Sequence, residues 1–216
     1  MDLENGDSGA GARSLVVRLW LPDRPGALGQ VASRIGSVRG DLLAIDILER
    51  GGGQVVDELV VSLPFETSEE LLAREIGAVD GVAVEHIRLV GPNRPDPAMA
   101  MFELAAAVAE MPGEAVSVLC TGLVDALDAE WAVVVGEGAV VARAGNAPGE
   151  AWLEAFLGGS EHLADDQLGP GDVLWARMPV SGLAVAAGRS ARAVHERERM
   201  RLRVLARIVD QLIAER

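Results

Sequence analysis

Lysine and tyrosine are absent from the 216 residues, so all nineteen basic side chains are Arg. Without Lys there is no Schiff-base amine and no phosphate-gripping lysine of a P-loop. Aromatic residues make up only 3% of the chain, so platforms for stacking bases or sugars are scarce. One cysteine, Cys120, permits no internal disulfide and implies nothing about an oxidising compartment. The three histidines, His86, His162 and His195, never fall at the i, i+4 spacing of a helical metal pair. No apolar run reaches the roughly 18 residues a membrane helix needs, because Glu103 and Glu110 interrupt the best stretch. Met1 to Ala12 lacks the basic start and apolar stretch of a signal peptide.

What is present is ordinary for a globular chain: 50% hydrophobic and 24% charged residues. The formal net charge is −14 and both halves share it, with nine Arg against fifteen acids up to Pro95 and ten against eighteen beyond. Phosphate surfaces repel such a chain, so neither nucleic acid nor an anionic membrane is expected as a partner. A cytoplasmic location is the default expectation.

In Ser14 to Leu21, Leu15, Val17, Leu19 and Leu21 alternate, the period of a half-buried strand. After Asp23-Arg24-Pro25-Gly26 the period changes, and Leu28, Val31, Ala32, Ile35 and Val38 form one helical stripe. Pro25 suits the first helical turn, Asp23 suits its cap, and Gly40 suits a left-handed helix end. Asp41 to Arg50 and Gln54 to Leu63 read as a hairpin joined by Gly51-Gly52-Gly53. Thr67-Ser68-Glu69-Glu70 matches a capping box before a short helix with Leu72 and Ile76 inward, and Val82 to Val90 is a last strand. The order βαββαβ predicts a ferredoxin-like domain over 14–90, an antiparallel sheet with both helices on one face. Val16 and Trp20 then point to the other face, which is expected to be open and apolar.

The sequence Asp23-Arg24-Pro25-Gly26-Ala27-Leu28 at the first strand-to-helix turn, with Gly40-Asp41-Leu42 opening the second strand, resembles an ACT domain. That resemblance implies a regulatory domain that binds an amino acid and pairs side by side, so a homodimer is expected. It places ligands between the first turn of one subunit and the second strand of its neighbour. The implied ligand-binding residues are therefore Asp23, Gly26, Ala27, Leu28, Asp41 and Leu42. Free amides at Gly26, Ala27 and Leu28 suit a ligand carboxylate, and Asp23 or Asp41 suits its ammonium group. Asp41 stands where many members carry Asn. An ionised carboxylate cannot donate there, so either the ligand presents its amino end or the site is empty.

Gly91 to Pro97 carries three Pro and one Gly in seven residues, which marks 91–95 as a linker. The residues before the first strand, 1–13, are Gly-rich and acidic and are expected to be disordered. From 96 to 216 the pattern predicts helices at Pro97 to Glu110 and Pro112 to Leu127, with Cys120 in the core. A hairpin at Glu130 to Ala144, a short helix around Trp152 to Leu157 and a loop at Gly158 to Gly171 follow. A second hairpin at Asp172 to Gly188 and a long final helix with Leu202, Leu205, Val209 and Leu212 inward complete the α+β reading. This half, ending in Leu183-Ala184-Val185, Gly188-Arg189 and an Arg- and Leu-rich helix, is similar to a reduced GAF domain, which implies a small or absent pocket.

Other constellations point to no chemistry. Glu161-His162 with Asp165-Asp166 lies in a Gly-flanked loop and is read as solvated rather than as a metal site. Ser181 sits on a turn without a nucleophile elbow. Arg189 to Arg207 holds seven Arg against two Glu and is read as a solvated face. No catalytic residue, metal or cofactor is assigned. The favoured function is an amino-acid sensor that relays its state through the second domain or a partner protein. The alternative is a ligand-free interaction module using the open sheet face, and an enzyme built on loop carboxylates is the least favoured reading.

Overall fold

Eleven residues of β1 (Ala12–Pro22) pair without a break against β3 (Gln54–Pro64), from Ala12 opposite Pro64 to Pro22 opposite Gln54. The computed structural model describes residues 11–91, 94–160, 172–190 and 192–215. Around the β1–β3 ladder stand α1 (Ala27–Ser37), β2 (Asp41–Gly51), α2 (Glu69–Gly77) and β4 (Ala83–Val90). The strand order is β2-β3-β1-β4, all antiparallel, with both helices over one face: a ferredoxin-like fold. Leu15, Val17, Leu19 and Leu21 meet Val31 and Ile35 of α1 and Leu72 and Ile76 of α2 in one core.

Three local features differ from the sequence reading. Arg24 to Ala27 forms a turn closed by the Ala27 N–H donating to the Arg24 carbonyl at 3.3 Å. Gly26 has φ 85° and ψ −9°, the third-position geometry of a type II turn, which Pro25 before it favours. Pro25 therefore precedes α1 instead of lying within it, and no side chain caps that helix. At the other end of α1 the left-handed residue is Arg39, with φ 61°, and not Gly40. Gly40 is required by packing, since a Cβ there would lie 2.8 Å from the Ile35 side chain. In α2 the cap is Ser68, which accepts from the Leu71 N–H, while the Thr67 hydroxyl donates to the Val38 carbonyl.

The second face of the sheet is buried at its centre. Val16 and Val56 have no exposed surface, and Arg18 and Glu58 retain 2% and 4%. Trp20 is partly exposed, its indole N–H donating to a Glu85 carboxylate oxygen at 3.0 Å. Strand β1 is thus buried on both sides and not half-buried. The Arg18 guanidinium donates to Glu58 at 2.7 Å and that of Arg94 to the other Glu58 oxygen at 2.9 Å. Burial opposes ionisation of Glu58, but the two guanidinium groups outweigh it and hold the carboxyl at about 2. The expected disordered stretch 1–13 overlaps β1, which includes Ala12 and Arg13; residues 1–10 lie outside the described residues.

Contacts divide the chain into two units that meet between Arg94 and Pro95. The second contains α3 (Pro97–Glu110), α4 (Ala115–Ala126), β5 (Trp131–Gly136), β6 (Ala139–Gly145), α5 (Glu150–Ser160), β7 (Val173–Met178), β8 (Leu183–Gly188) and α6 (Glu196–Ala214). Its antiparallel sheet has the order β6-β5-β8-β7. Pro112 to Glu114 makes a single tight turn before α4. Asp96 caps α3 by accepting from the Ala98 and Met99 amides. Helices α3, α4 and α6 cover one sheet face, with Val108, Leu119, Cys120, Leu123, Leu202 and Val209 wholly buried. On the other face Leu153 of α5 packs with Trp131, Val133 and Val173. The chain as a whole is therefore α+β. No single helix among the described residues is long and apolar enough to cross a membrane. The sequence-predicted loop at Gly158 to Gly171 begins inside α5, and 161–171 lie outside the described residues.

The basic end of the chain is not simply a solvated face. Arg189, 2% exposed, donates to both Glu198 oxygens at 2.8 Å and to the Leu127 and Ala193 carbonyls. Glu198 also accepts from the His195 N–H. This cluster ties the end of β8 to the start of α6. Removing one member strands a buried charge, so Arg189→Ala is expected to lower unfolding free energy by about 3–5 kcal/mol. Exposed Arg207→Ala should stay within about 0.5 kcal/mol of wild type. Urea unfolding followed by circular dichroism measures both.

Candidate functional site

The type II turn ends β1 and starts α1, so its exposed backbone points away from the sheet end. Of the three amides expected to be free, Ala27 closes the turn, leaving the Gly26 and Leu28 N–H groups without a partner among the described residues. Such amides at the positive end of a helix favour an anion. Beside them the β2–β3 hairpin turns through Gly52 and Gly53, with φ of 59° and 76°, the type I′ geometry that a Gly-Gly pair permits. The Asp23 N–H donates to the Gly53 carbonyl at 2.9 Å, and the Asp23 carboxylate lies 3.9 Å from the Arg50 guanidinium. Asp23 is therefore not a helix cap. It links the turn to the end of β2.

Asp41 and Leu42 lie elsewhere. Asp41 pairs with Ser62, whereas Gly51 pairs with Gln54, so Asp41 stands at the opposite end of the sheet from the turn. Eight residues of β3 separate these levels, roughly 27 Å of strand. One chain cannot bring Asp23 to Leu28 and Asp41 to Leu42 around a single small ligand. On the β2 edge Leu43 and Ile45 are 53% and 45% exposed. Register shifts between Leu42 and Ala44 and between Ile47 and Glu49 bend that edge.

The sequence reading missed Asp57. Its cross-strand partners are Leu19 on β1 and Ile47 on β2, which puts it on the helix-facing side with Val55, Leu59, Val61 and Leu63. It is 2% exposed, and its Oδ1 has no hydrogen-bond partner among the described residues. Burial pushes the carboxyl from 3.8 up to about 6; Arg50 pulls it down, while Asp46 and Asp23 push it further up. The signal in the sequence is a single charged residue at an inward position of an otherwise apolar alternation.

The other titratable candidates offer no chemistry. Cys120 is wholly buried, and burial pushes its thiol up to about 12. The Ser181 hydroxyl donates to Asp210, which also accepts from the Val180 and Ser181 amides. Burial opposes ionisation of Asp210, but these three donors prevail and lower its pKa. That carboxylate secures the β7–β8 turn to α6. No group of metal-ligating side chains occurs among the described residues, and Glu161, His162, Asp165 and Asp166 lie outside them. The second unit, expected to have a small or absent pocket, carries an open groove of about 670 Å³ between α3 and α4. Leu104, Met111 and Val118 are among its lining residues.

No protein-family model matches the sequence, and no curated protein matches it. Among solved structures, it is similar to the ACT domain from GTP pyrophosphokinase of Chlorobium tepidum. That match is 16% identical with a TM-score of 0.29 and covers 37% of this chain and 100% of that one. An unknown protein from Galdieria sulphuraria is 14% identical with a TM-score of 0.33, covering 82% and 81%. A formyltetrahydrofolate deformylase from Pseudomonas putida KT2440 is 14% identical with a TM-score of 0.28, covering 47% and 39%. At these values the ferredoxin-like assignment stands on the strand order itself.

Asp57 gives the first unit a pH-dependent weakness. The folded state holds this proton more tightly than the unfolded state, so stability falls as pH rises from about 4 to about 6. Above that window the buried charge costs about 2–3 kcal/mol. Asp57→Asn is expected to raise the melting temperature of the first unit by roughly 5–15 °C at pH 8. At pH 4 the variant and wild type should melt together, and calorimetric scans at both pH values check this.

Proposed function

We propose that the chain is a regulatory sensor that binds a free amino acid at the β1–α1 turn of its ferredoxin-like unit. The observation that carries the reading is the pair of partnerless amides at Gly26 and Leu28 beside the Asp23–Arg50 corner. Amide donors and a guanidinium group suit a carboxylate, and acidic side chains suit an ammonium group, so both ends of an amino acid find partners in one place. The relay runs through the second unit or a partner protein.

The sensor works as a homodimer joined along β2. An edge strand with exposed Leu43 and Ile45 is a ready template for another strand. Antiparallel pairing of β2 with a second copy about a two-fold axis at Asp46 sets Asp41 of one chain opposite Gly51 of the other. Asp41 and Leu42 of the second copy then reach the corner formed by Asp23, Arg50 and the turn. The alternative, a ligand-free interaction module on the second sheet face, is the less favoured reading, because Val16 and Val56 at the centre of that face are buried.

Thermal-shift screening of the twenty amino acids tests the ligand. A match at about a hundred times its Kd adds about 2.7 kcal/mol to stability, and no shift with any of the twenty overturns the reading. Gly26→Val is unsuited as a control, since φ 85° strains any β-branched residue there. Light scattering tests the dimer: the expected mass is twice the 22.6 kDa of one chain, and Ile45→Arg should return it to one. A wild-type mass of one chain across the micromolar range removes the dimer.

A further inference from the structure

We propose that the outward face of α6 docks into the α3–α4 groove of a second copy of this chain. The inference does not depend on the sensor reading, because both surfaces belong to the second unit and neither takes part in the β1–α1 corner.

The helix supplies one surface. Leu202, Leu205 and Val209 turn inward, yet α6 carries a second apolar row at i, i+4 and i+8. That row is Met200, Val204 and Ile208, which are 50%, 44% and 37% exposed. Arg197 lies one turn before it, and Arg201 and Arg207 lie beside it. Of the acids in α6, Glu198 and Asp210 are buried, which leaves only Glu196 exposed at the first position. A chain of net charge −14 thus presents one apolar row set among cations.

The groove supplies the complement. Ala100, Leu104, Met111 and Val118 give it an apolar lining, and Glu103, Glu114 and Asp125 add three exposed carboxylates. No basic side chain is among its described lining residues. From Ala100 to Met111 the α3 wall runs roughly 16 Å, and Met200 to Ile208 spans roughly 12 Å, so the row fits within it. Apolar surface meets apolar surface and guanidinium groups meet carboxylates, as when an amphipathic helix is taken into a groove.

The occupant comes from another molecule. Helix α3 packs against both α4 and α6, whereas α4 and α6 make no comparable contact among the described residues. Helix α6 therefore stands across α3 from the groove, and its inward row fixes it there. No chain can turn the outward row into its own groove. The contact runs head to tail, from the helix of one copy to the groove of the next. One helix face makes an interface below the roughly 1,200 Å² of standard complexes, so association sets in above the low micromolar range.

Sedimentation equilibrium of the full chain tests the contact, with Ile45→Arg in every sample so that pairing along β2 does not contribute. The mass at ~10 μM should be that of one chain, 22.6 kDa, and should climb past two chains toward ~1 mM. Val204→Glu blocks the helix surface, and Glu103→Arg with Glu114→Arg blocks the groove. Each variant alone should stay at one chain, its association weakened roughly tenfold or more. A mixture of the two keeps one good helix and one good groove, so its mass should rise and stop at two chains. Met200→Glu and Asp125→Arg repeat the experiment at other exposed positions, and circular dichroism confirms that every variant folds. The proposal is overturned if the parent chain or the mixture stays at one chain at the highest concentration. It is equally overturned if either blocked variant associates alone. Loss with Val204→Glu only points to pairing between α6 helices, and loss with the groove variant only points to another occupant.

Discussion

The β1–β3 ladder constrains the first unit more than any other pairing. Its register places every inward residue of β1, and it sets Pro22 level with Gln54, so the first helix and the hairpin must begin side by side. Strand β1 has partners on both edges and buried residues on both faces, so a shift of one position would turn Leu15, Val17 and Leu19 out of the helix-facing core and Arg18 into it. The corner that carries the candidate site is a consequence of that register. Asp23 and Arg50 come from two segments, and the ladder brings those segments together at one end of the sheet.

Much of this architecture was legible from period alone. The two-residue alternation of β1 and the stripe of α1 gave the helix-facing core, and the glycine run gave the hairpin. The second unit was equally readable, because Leu119, Cys120 and Leu123 and the spacing of Leu202, Leu205 and Val209 leave little choice of face. Pairing was harder to read. Arg18 and Glu58 sit forty residues apart, and their bond exists only once the register is fixed. The same holds for Arg189 and Glu198, where a local excess of Arg suggested solvation but the guanidinium of Arg189 is enclosed.

The site was legible by half. Pro25-Gly26 marked the turn, yet the helix was read as starting at Pro25, and the type II turn took the Ala27 amide that such a start would have left free. Asp57 was hidden because a polar residue in an apolar row reads as a break in the pattern. Its significance appears only when the row is seen to be continuous on both sides of it. The capping box pointed to its first residue, Thr67, but the cap is Ser68, since the Thr67 hydroxyl meets the Val38 carbonyl.

The single thiol has a consequence of a different kind. Cys120 lies on α4 at the centre of the second unit's core, and the first unit has no sulfhydryl at all. A thiol-specific alkylating reagent therefore reacts with the native chain only through opening of that helical layer. The labelling rate is a clock for excursions of one half of the molecule, running without any introduced probe. Ligand added to the other half should leave that clock untouched if the halves are independent. If they communicate, the clock slows or quickens by the coupling free energy between them.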